Sequence, residues 1–273
     1  MTTLHQRNGD LPPGGAGQLL SPWPNRIDGG HYRLAGTEYQ LDLSEPAAGN
    51  AIHGLTRWSA WSLARHDPGA VALHLALLGR TGYPFRLDLT VEYQLSAEAG
   101  LMVSVTAHNA GNRAAPYGTG SHPYLTAGAP SVDRCELTLP VSQQLPADQR
   151  GIPSGPLTDV AGTPFDFRSA RQIGTVSLDH AFTGLKRDEA GLAWARLTSD
   201  GAGAALWAGP GYGWLQVFTG DTLGQEHRRR AVAIEPMTCP PNGFVTGTDL
   251  LTLEPGQTVT HRWGVQATGA AGS

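Results

Sequence analysis

Leu87-Asp88-Leu89-Thr90-Val91-Glu92-Tyr93-Gln94-Leu95 carries an apolar residue at every odd position and a polar or charged one at every even position. Side chains of a strand point alternately to its two faces, so this run reads as a strand with one buried face. The run Leu101 to Ala107 follows after Ser96-Ala97-Glu98-Ala99-Gly100, a linker of hairpin length that ends in glycine. The two runs are therefore expected to pair antiparallel.

Similar short runs occur at Ala72 to Leu78, Cys135 to Val141, Gly213 to Phe218, Ala231 to Ile234 and Val259 to Val265. Between them lie turn signals such as Asp67-Pro68-Gly69 and Glu254-Pro255-Gly256. No segment sustains apolar positions at helical spacing over three turns, and 36 glycines and 20 prolines in 273 residues favour many tight turns. An all-β, antiparallel protein with little helix is the expectation. The composition changes near residue 20, so residues 1–18 are expected to be loop-like or disordered and residues 19–268 to form a single β-sandwich domain.

Bulk properties narrow the function. A net charge of −4 disfavours a nucleic-acid partner, whose phosphates select a basic face. The one basic run, Arg228 to Arg230, reads as a solvated turn. Two distant cysteines, Cys135 and Cys239, form neither a disulfide framework nor a zinc pattern, which fits a reducing compartment. No apolar run reaches membrane-spanning length and no signal-peptide pattern opens the chain, so a cytoplasmic protein without a membrane partner is expected. Phosphate-loop, dinucleotide, zincin and nucleophile-elbow motifs are all missing, and neither a cofactor nor a metal is expected.

What remains are polar residues set in turn-like, aromatic-rich contexts. Glu235 follows the apolar strand Ala231 to Ile234 and precedes Pro236, which cannot donate to a central ladder, so the carboxylate is expected at a strand end facing a cleft. A structural glutamate accepting turn hydrogen bonds would look the same. His122 precedes Pro123, which favours an extended backbone, and Gly118 and Gly120 permit close approach of a ligand. By itself, a histidine beside Tyr124 is as readily a hydrogen-bonded core residue, and so is His53.

Taken together, Trp23-Pro24-Asn25-Arg26-Ile27, Asn50-Ala51-Ile52-His53-Gly54-Leu55, Ser121-His122-Pro123-Tyr124, Leu178-Asp179-His180 and Glu235-Pro236-Met237-Thr238 resemble, in order and spacing, the signatures of the aldose 1-epimerases, the galactose mutarotase family. The resemblance runs from about residue 17 to residue 266. It implies a large antiparallel β-supersandwich with a sugar cleft, and a reaction that interconverts the α and β anomers of a free aldohexose. By the same resemblance Glu235 is the general base on the anomeric hydroxyl and His122 the general acid on the ring oxygen. Arg26, His53 and Asp179 then hold the sugar, while His180 is structural.

An ionised Glu235 would favour a protonated His122 beside it. The alternatives are a mutarotase for an anionic sugar, such as a hexose phosphate or a sulfonated hexose, and a non-catalytic sugar-binding module. The anionic reading calls for basic side chains at the cleft rim beyond Arg26. A glycoside hydrolase using Asp179 and Glu235 is a further possibility. The expected partner is a monosaccharide, with the chain a monomer or homodimer. Family members carry one or more strands ahead of the Pro-Asn-Arg-Ile segment, so the short stretch here is expected to leave a sheet edge uncovered.

Overall fold

The computed structural model describes residues 11–269, so the expectation for residues 1–10 lies outside the described part. The alternating run at Leu87 to Leu95 and the run that follows it form the centre of the fold. Leu87–Ser96 and Gly100–Asn109 pair antiparallel from Leu87 with Asn109 to Ser96 with Gly100. Gly100 takes a φ of 71° at the hairpin tip, a left-handed conformation that glycine adopts without strain.

This hairpin lies within a nine-stranded antiparallel sheet. On one flank are Ala70–Leu77 and the edge strand Ser62–Asp67. On the other are the C-terminal strand Thr258–Thr268, then Ala202–Ala208 and Ala193–Ser199. A second sheet, of eight strands, runs from Leu19–Leu20 through Gly120–Ser121, Val232–Met237, Trp214–Phe218 and Asp179–Thr183.

The core is the seam between the two sheets. Val91, Val103, Val105, Leu197 and Leu206 from the larger sheet meet Phe182, Leu215, Val217, Val232 and Ile234 from the smaller. A second cluster packs Trp23 edge-on to Phe244, with Tyr83 and Leu87 beside them. Trp23 is therefore a core residue. Each fully buried aliphatic or aromatic side chain contributes about 1.5–3 kcal/mol relative to exposure, and both sheets depend on that sum.

The alternation of the opening run holds through Val91, but Leu95 is exposed. Near that end of the hairpin the sheets part around an apolar cavity of about 470 Å³ whose lining includes Tyr93, Leu95, Tyr124 and Trp263. Helix is confined to the α-turn Gly243–Thr246 and two short 3₁₀ turns among the described residues. No helix there is long and apolar enough to cross a membrane. Cys135 and Cys239 are both buried and unpaired.

The basic run is not simply a solvated turn. Arg229 is held in a partly buried ion network, donating to Asp133 at 2.6 Å and Asp221 at 2.7 Å, while Arg228 and Arg230 are exposed. It ties the Gly220–Arg230 loop to the loop before Cys135, so its role is structural.

Candidate active site

The sheet register builds one wall of the cleft. Along Val232–Met237 and Trp214–Phe218, Val232, Ile234, Leu215 and Val217 point into the core. The alternate positions therefore point the other way: Gln216 sits opposite Glu235, and Asp179 opposite Phe218. Asp179 Oδ1 accepts from Gln216 Nε2 at 2.7 Å, diagonally across the strands. Period-2 geometry alone thus places Asp179, Gln216 and Glu235 on one face.

Glu235 does not end its strand, contrary to the sequence expectation. The strand continues through Pro236, which pairs with Leu215. On the opposite side, Ile234 N donates to Pro123 O at 3.2 Å and Thr238 N donates to Thr119 O at 2.9 Å. Pro236 faces the same side as these two, at the gap between Gly120–Ser121 and Tyr124–Leu125, so the missing N–H breaks no ladder bond. That gap is where His122 leaves the sheet.

His122 and Glu235 meet there. Nε2 of His122 lies 3.3 Å from Oε1 of Glu235, and their side chains are 5% and 2% exposed. The His122 ring stacks on Tyr124, with centroids 5.1 Å apart. Its backbone is clamped by Gln18, whose carbonyl accepts from His122 N at 3.0 Å, and by Gly17, whose amide donates to His122 O at 2.9 Å. Residues 11–18 are thus loop-like but packed against the site, through the 3₁₀ turn Pro13–Gly15. Tyr124 donates its hydroxyl proton to Gly14 O at 3.0 Å.

Burial sets the protonation of the pair. It pushes the His122 imidazole down to about 3, with the nearby Arg57 charge acting in the same direction. It also raises the Glu235 carboxyl well above 4.5, helped by Asp179 and opposed by Arg26. Burial therefore favours a neutral carboxyl beside a neutral imidazole, not the carboxylate–imidazolium pair expected from sequence. Desolvation of two charges outweighs their mutual attraction here.

His53 and Arg26 form the opposite wall. They sit at neighbouring ends of the paired strands Asn50–Ile52 and Arg26–Asp28. His53 has a φ of 62° and Asn25 a φ of 53°, and their backbones lock together through His53 N donating to Asn25 O at 2.8 Å. The Asn25 amide donates to His53 Nδ1 at 3.2 Å. Because that nitrogen accepts, the neutral ring carries its proton on Nε2. Burial, with His122, Arg57 and Arg26 nearby, holds His53 well below its ordinary value.

Arg26 is not free to reorient. Its Nε and Nη2 both donate to Glu45 at 2.9 Å, a bidentate pair. Asn50 Nδ2 adds a bond to Glu45 at 3.0 Å. Glu45 overcomes the burial that would lower Arg26, which stays raised. Arg26, His53, His122, Asp179 and Glu235 all line one cleft of about 350 Å³, together with Glu45, Gln216 and Arg57. His180 is absent from that lining and instead packs on Phe165 at 4.5 Å.

Three of these residues went unnoticed in the sequence. Gln216 had a signal: it is the lone polar residue in Trp214-Leu215-Gln216-Val217-Phe218. Glu45 and Arg57 had none, because a charged residue in a turn-rich stretch ordinarily faces water.

The ligating atoms of His53, His122 and Glu235 lie within 4.8 Å of one another, a spacing that could collect a metal ion. The donor set does not fit one. With Nδ1 accepting from Asn25, His53 Nε2 has a proton where a metal would need a lone pair, and the Arg57 charge acts on both histidines. Hydroxyl groups suit the same atoms better: one N–H donor, one carboxyl, one imidazole and the fixed Arg26 guanidinium.

The fold is a galactose mutarotase-like β-supersandwich. A homologue of the aldose epimerases from Caenorhabditis elegans superposes with a TM-score of 0.82 at 18% identity, covering 94% of this chain and 83% of that one. The galactose 1-epimerase of Lactobacillus acidophilus superposes with a TM-score of 0.78 at 22% identity, covering 94% and 81%. The family model described as aldose 1-epimerase matches residues 12–266. The chain belongs to the aldose 1-epimerase family.

Among relatives, the uncharacterised protein YihR of Escherichia coli K12 is 38% identical over 249 residues, 91% of this chain and 78% of that protein. The galactose mutarotase of Sus scrofa is 28% identical over 233 residues, 81% of this chain and 66% of that protein. This chain thus spans just under two thirds of the animal enzyme's length.

Proposed function

We propose that this protein is an aldose 1-epimerase that opens and recloses the ring of a free aldose, with Glu235 and His122 as its acid–base pair. The carrying observation is the 3.3 Å contact between His122 Nε2 and Glu235 Oε1 at the base of the cleft. The ring oxygen and the anomeric hydroxyl share one carbon, so they lie closer together than the two side-chain atoms do. A pyranose set alongside the pair can reach both at hydrogen-bond distances of about 2.6–3.2 Å.

Ring opening moves one proton off the anomeric hydroxyl and one onto the ring oxygen. The pair needs a single shared proton for this. A neutral carboxyl with a neutral imidazole has the same proton count as a carboxylate with an imidazolium, so transfer from Glu235 to His122 readies Glu235 as base and His122 as acid. Rotation about the C1–C2 bond then presents the other face of the carbonyl. Reclosure with the roles exchanged yields the other anomer.

His53, through its Nε2–H, and Arg26 donate to sugar oxygens, while Asp179 accepts from a ring hydroxyl. Asp179 is held for this by Gln216, and Arg26 by Glu45. A positioned acid and a positioned base each typically give about 10²- to 10⁴-fold.

Anomer exchange measured by NMR on a panel of free sugars tests this reading. His122→Asn and Glu235→Gln are each expected to slow exchange by at least about a hundredfold. Undiminished exchange in both variants would reject the pair, and sugar binding without any acceleration would mark a non-catalytic module.

A further inference from the structure

We propose that Arg150 is a positioning residue: it latches the two walls of the cleft together and so holds the Arg26 guanidinium where the sugar meets it. The inference rests on the acid–base reading above and concerns how that same site is kept in shape.

The cleft is made of parts that no common ladder joins. Asp179, Gln216 and Glu235 stand on the eight-stranded sheet, whereas the strand Arg26–Asp28 pairs with Asn50–Ile52 outside both large sheets. Asn242 fixes the backbone of that strand, accepting from Asp28 N at 3.0 Å. The side-chain end of Arg26 needs a support of its own, and the loop 146–157 provides it. This loop joins the strands Gln143–Leu145 and Thr158–Asp159 at the edge of the eight-stranded sheet. It leaves the sheet beside Asp179, because Leu145 pairs with Ala181.

Arg150 carries the loop across to the other wall. Its Nε donates to Ala48 O at 2.7 Å, and its Nη2 donates to Asp28 Oδ1 at 2.7 Å and to Asn50 Oδ1 at 3.0 Å. Asn50 returns a bond from Nδ2 to Arg150 O at 2.9 Å. A planar fork can meet oxygens from several segments at once, which a single ammonium group does poorly.

The same asparagine connects the latch to Arg26. Asn50 is fully buried, and its Nδ2 also donates to Glu45 Oε2 at 3.0 Å, the oxygen that accepts from Arg26 Nε at 2.9 Å. Its amide hydrogens and its carbonyl are all engaged, so its orientation is fixed, and Arg26 and Arg150 are held through it. Gly151 adds a direct contact. It has a φ of +74°, and a Cβ there would come 2.5 Å from Nη1 and 2.9 Å from Cζ of Arg26. The loop backbone therefore lies against a guanidinium that Glu45 already keeps from turning. Arg150 itself does not line the cleft, so it acts on the sugar through Arg26.

The test measures kcat and KM for anomer exchange on whichever of glucose, galactose, mannose and xylose the wild type converts fastest. Arg150→Ala is expected to raise KM by about tenfold, the scale of one displaced charge-assisted contact to the sugar, with kcat changed less because His122 and Glu235 stand on other segments. Arg150→Lys should recover only part of the loss. In an Arg26→Gln background Arg150→Ala should add little, the non-additivity required of a residue that acts through Arg26. Should Arg150→Ala fail to fold, Gly151→Ala leaves the Arg150 side chain intact and must still raise KM by pressing on Arg26. A folded Arg150→Ala or Gly151→Ala with wild-type KM overturns the proposal, and so do losses that add fully in the double variant. A wild type that accelerates none of the four sugars would instead remove the acid–base reading, and this inference with it.

Discussion

The backbone amide of Asn25 donates to Nδ1 of His53 at 3.2 Å, and that bond decides what His53 offers the cleft. A backbone N–H cannot accept, so the ring is fixed with its proton on Nε2. Nitrogen NMR is expected to show the Nε2–H tautomer of His53 from pH 6 to pH 8 without protonation, because burial holds its pKa well below 6.5. A His53 imidazolium at pH 6 would contradict this. His53→Ala should lower kcat/KM by roughly ten- to a hundredfold through one lost hydrogen bond to substrate.

Burial of Glu235 gives stability a definite pH dependence. Its folded pKa lies above the 4.5 of an ordinary carboxyl, so the folded state holds the proton more tightly. Its contribution is fully present below that value and is lost as pH rises through the folded pKa. Glu235→Gln removes the loss, so its Tm should exceed that of the wild type at pH 8, with the gap closing toward pH 4. A gap that widens on acidification would reverse the sign.

His122 shows the opposite sign. Its pKa falls from 6.5 to about 3 on folding, so its contribution is present above 6.5 and is lost as pH drops toward 3. His122→Gln should therefore be more resistant to mild acid than the wild type, as read from urea midpoints at pH 4.5 and pH 7.5. Equal differences at the two pH values would show that the imidazole is not held neutral.

Gln216 supports the acidic wall without being a proton donor in the reaction. Its Nε2 holds Asp179 Oδ1 at 2.7 Å and its backbone pairs with Glu235. Gln216→Ala is expected to raise KM more than it lowers kcat, with kcat/KM down about tenfold, equivalent to ~1.4 kcal/mol. Gln216→Glu would place a second carboxyl beside Asp179 and should do worse than alanine.

Gly15 sets the back wall of His122. It has a φ of +76°, and a Cβ there would come 3.0 Å from Cδ2 of the His122 ring. Gly15→Ala should cost about 1 kcal/mol of stability from the backbone and displace the ring. A shift near 1 Å at a catalytic group can cost about a hundredfold in rate, so kcat should fall while KM changes less. Normal kcat in this variant would show that residues 13–15 do not position His122.

The fold was legible in the sequence because β-sheet structure writes itself at period two. Leu87–Leu95 announced a half-buried strand, and the five-residue linker 96–100 fixed its pairing with the next. Leu95 broke the pattern because burial depends on what faces a strand, and there a cavity separates the sheets. The strand end assigned to Pro236 also failed, since a proline interrupts a ladder only where its neighbour is present to accept.

The motifs around Arg26, His53, His122, Asp179 and Glu235 were also readable, through their order along the chain. Sequence alone settled which residue types come together and that they lie on strands and turns of an antiparallel protein. Tertiary structure decided the rest: the proton on His53, the neutral state of the buried pair, and the anchoring of Arg26 by Glu45. Each depends on distances between remote segments and on how much water those segments exclude, and neither quantity is encoded in any local stretch of residues.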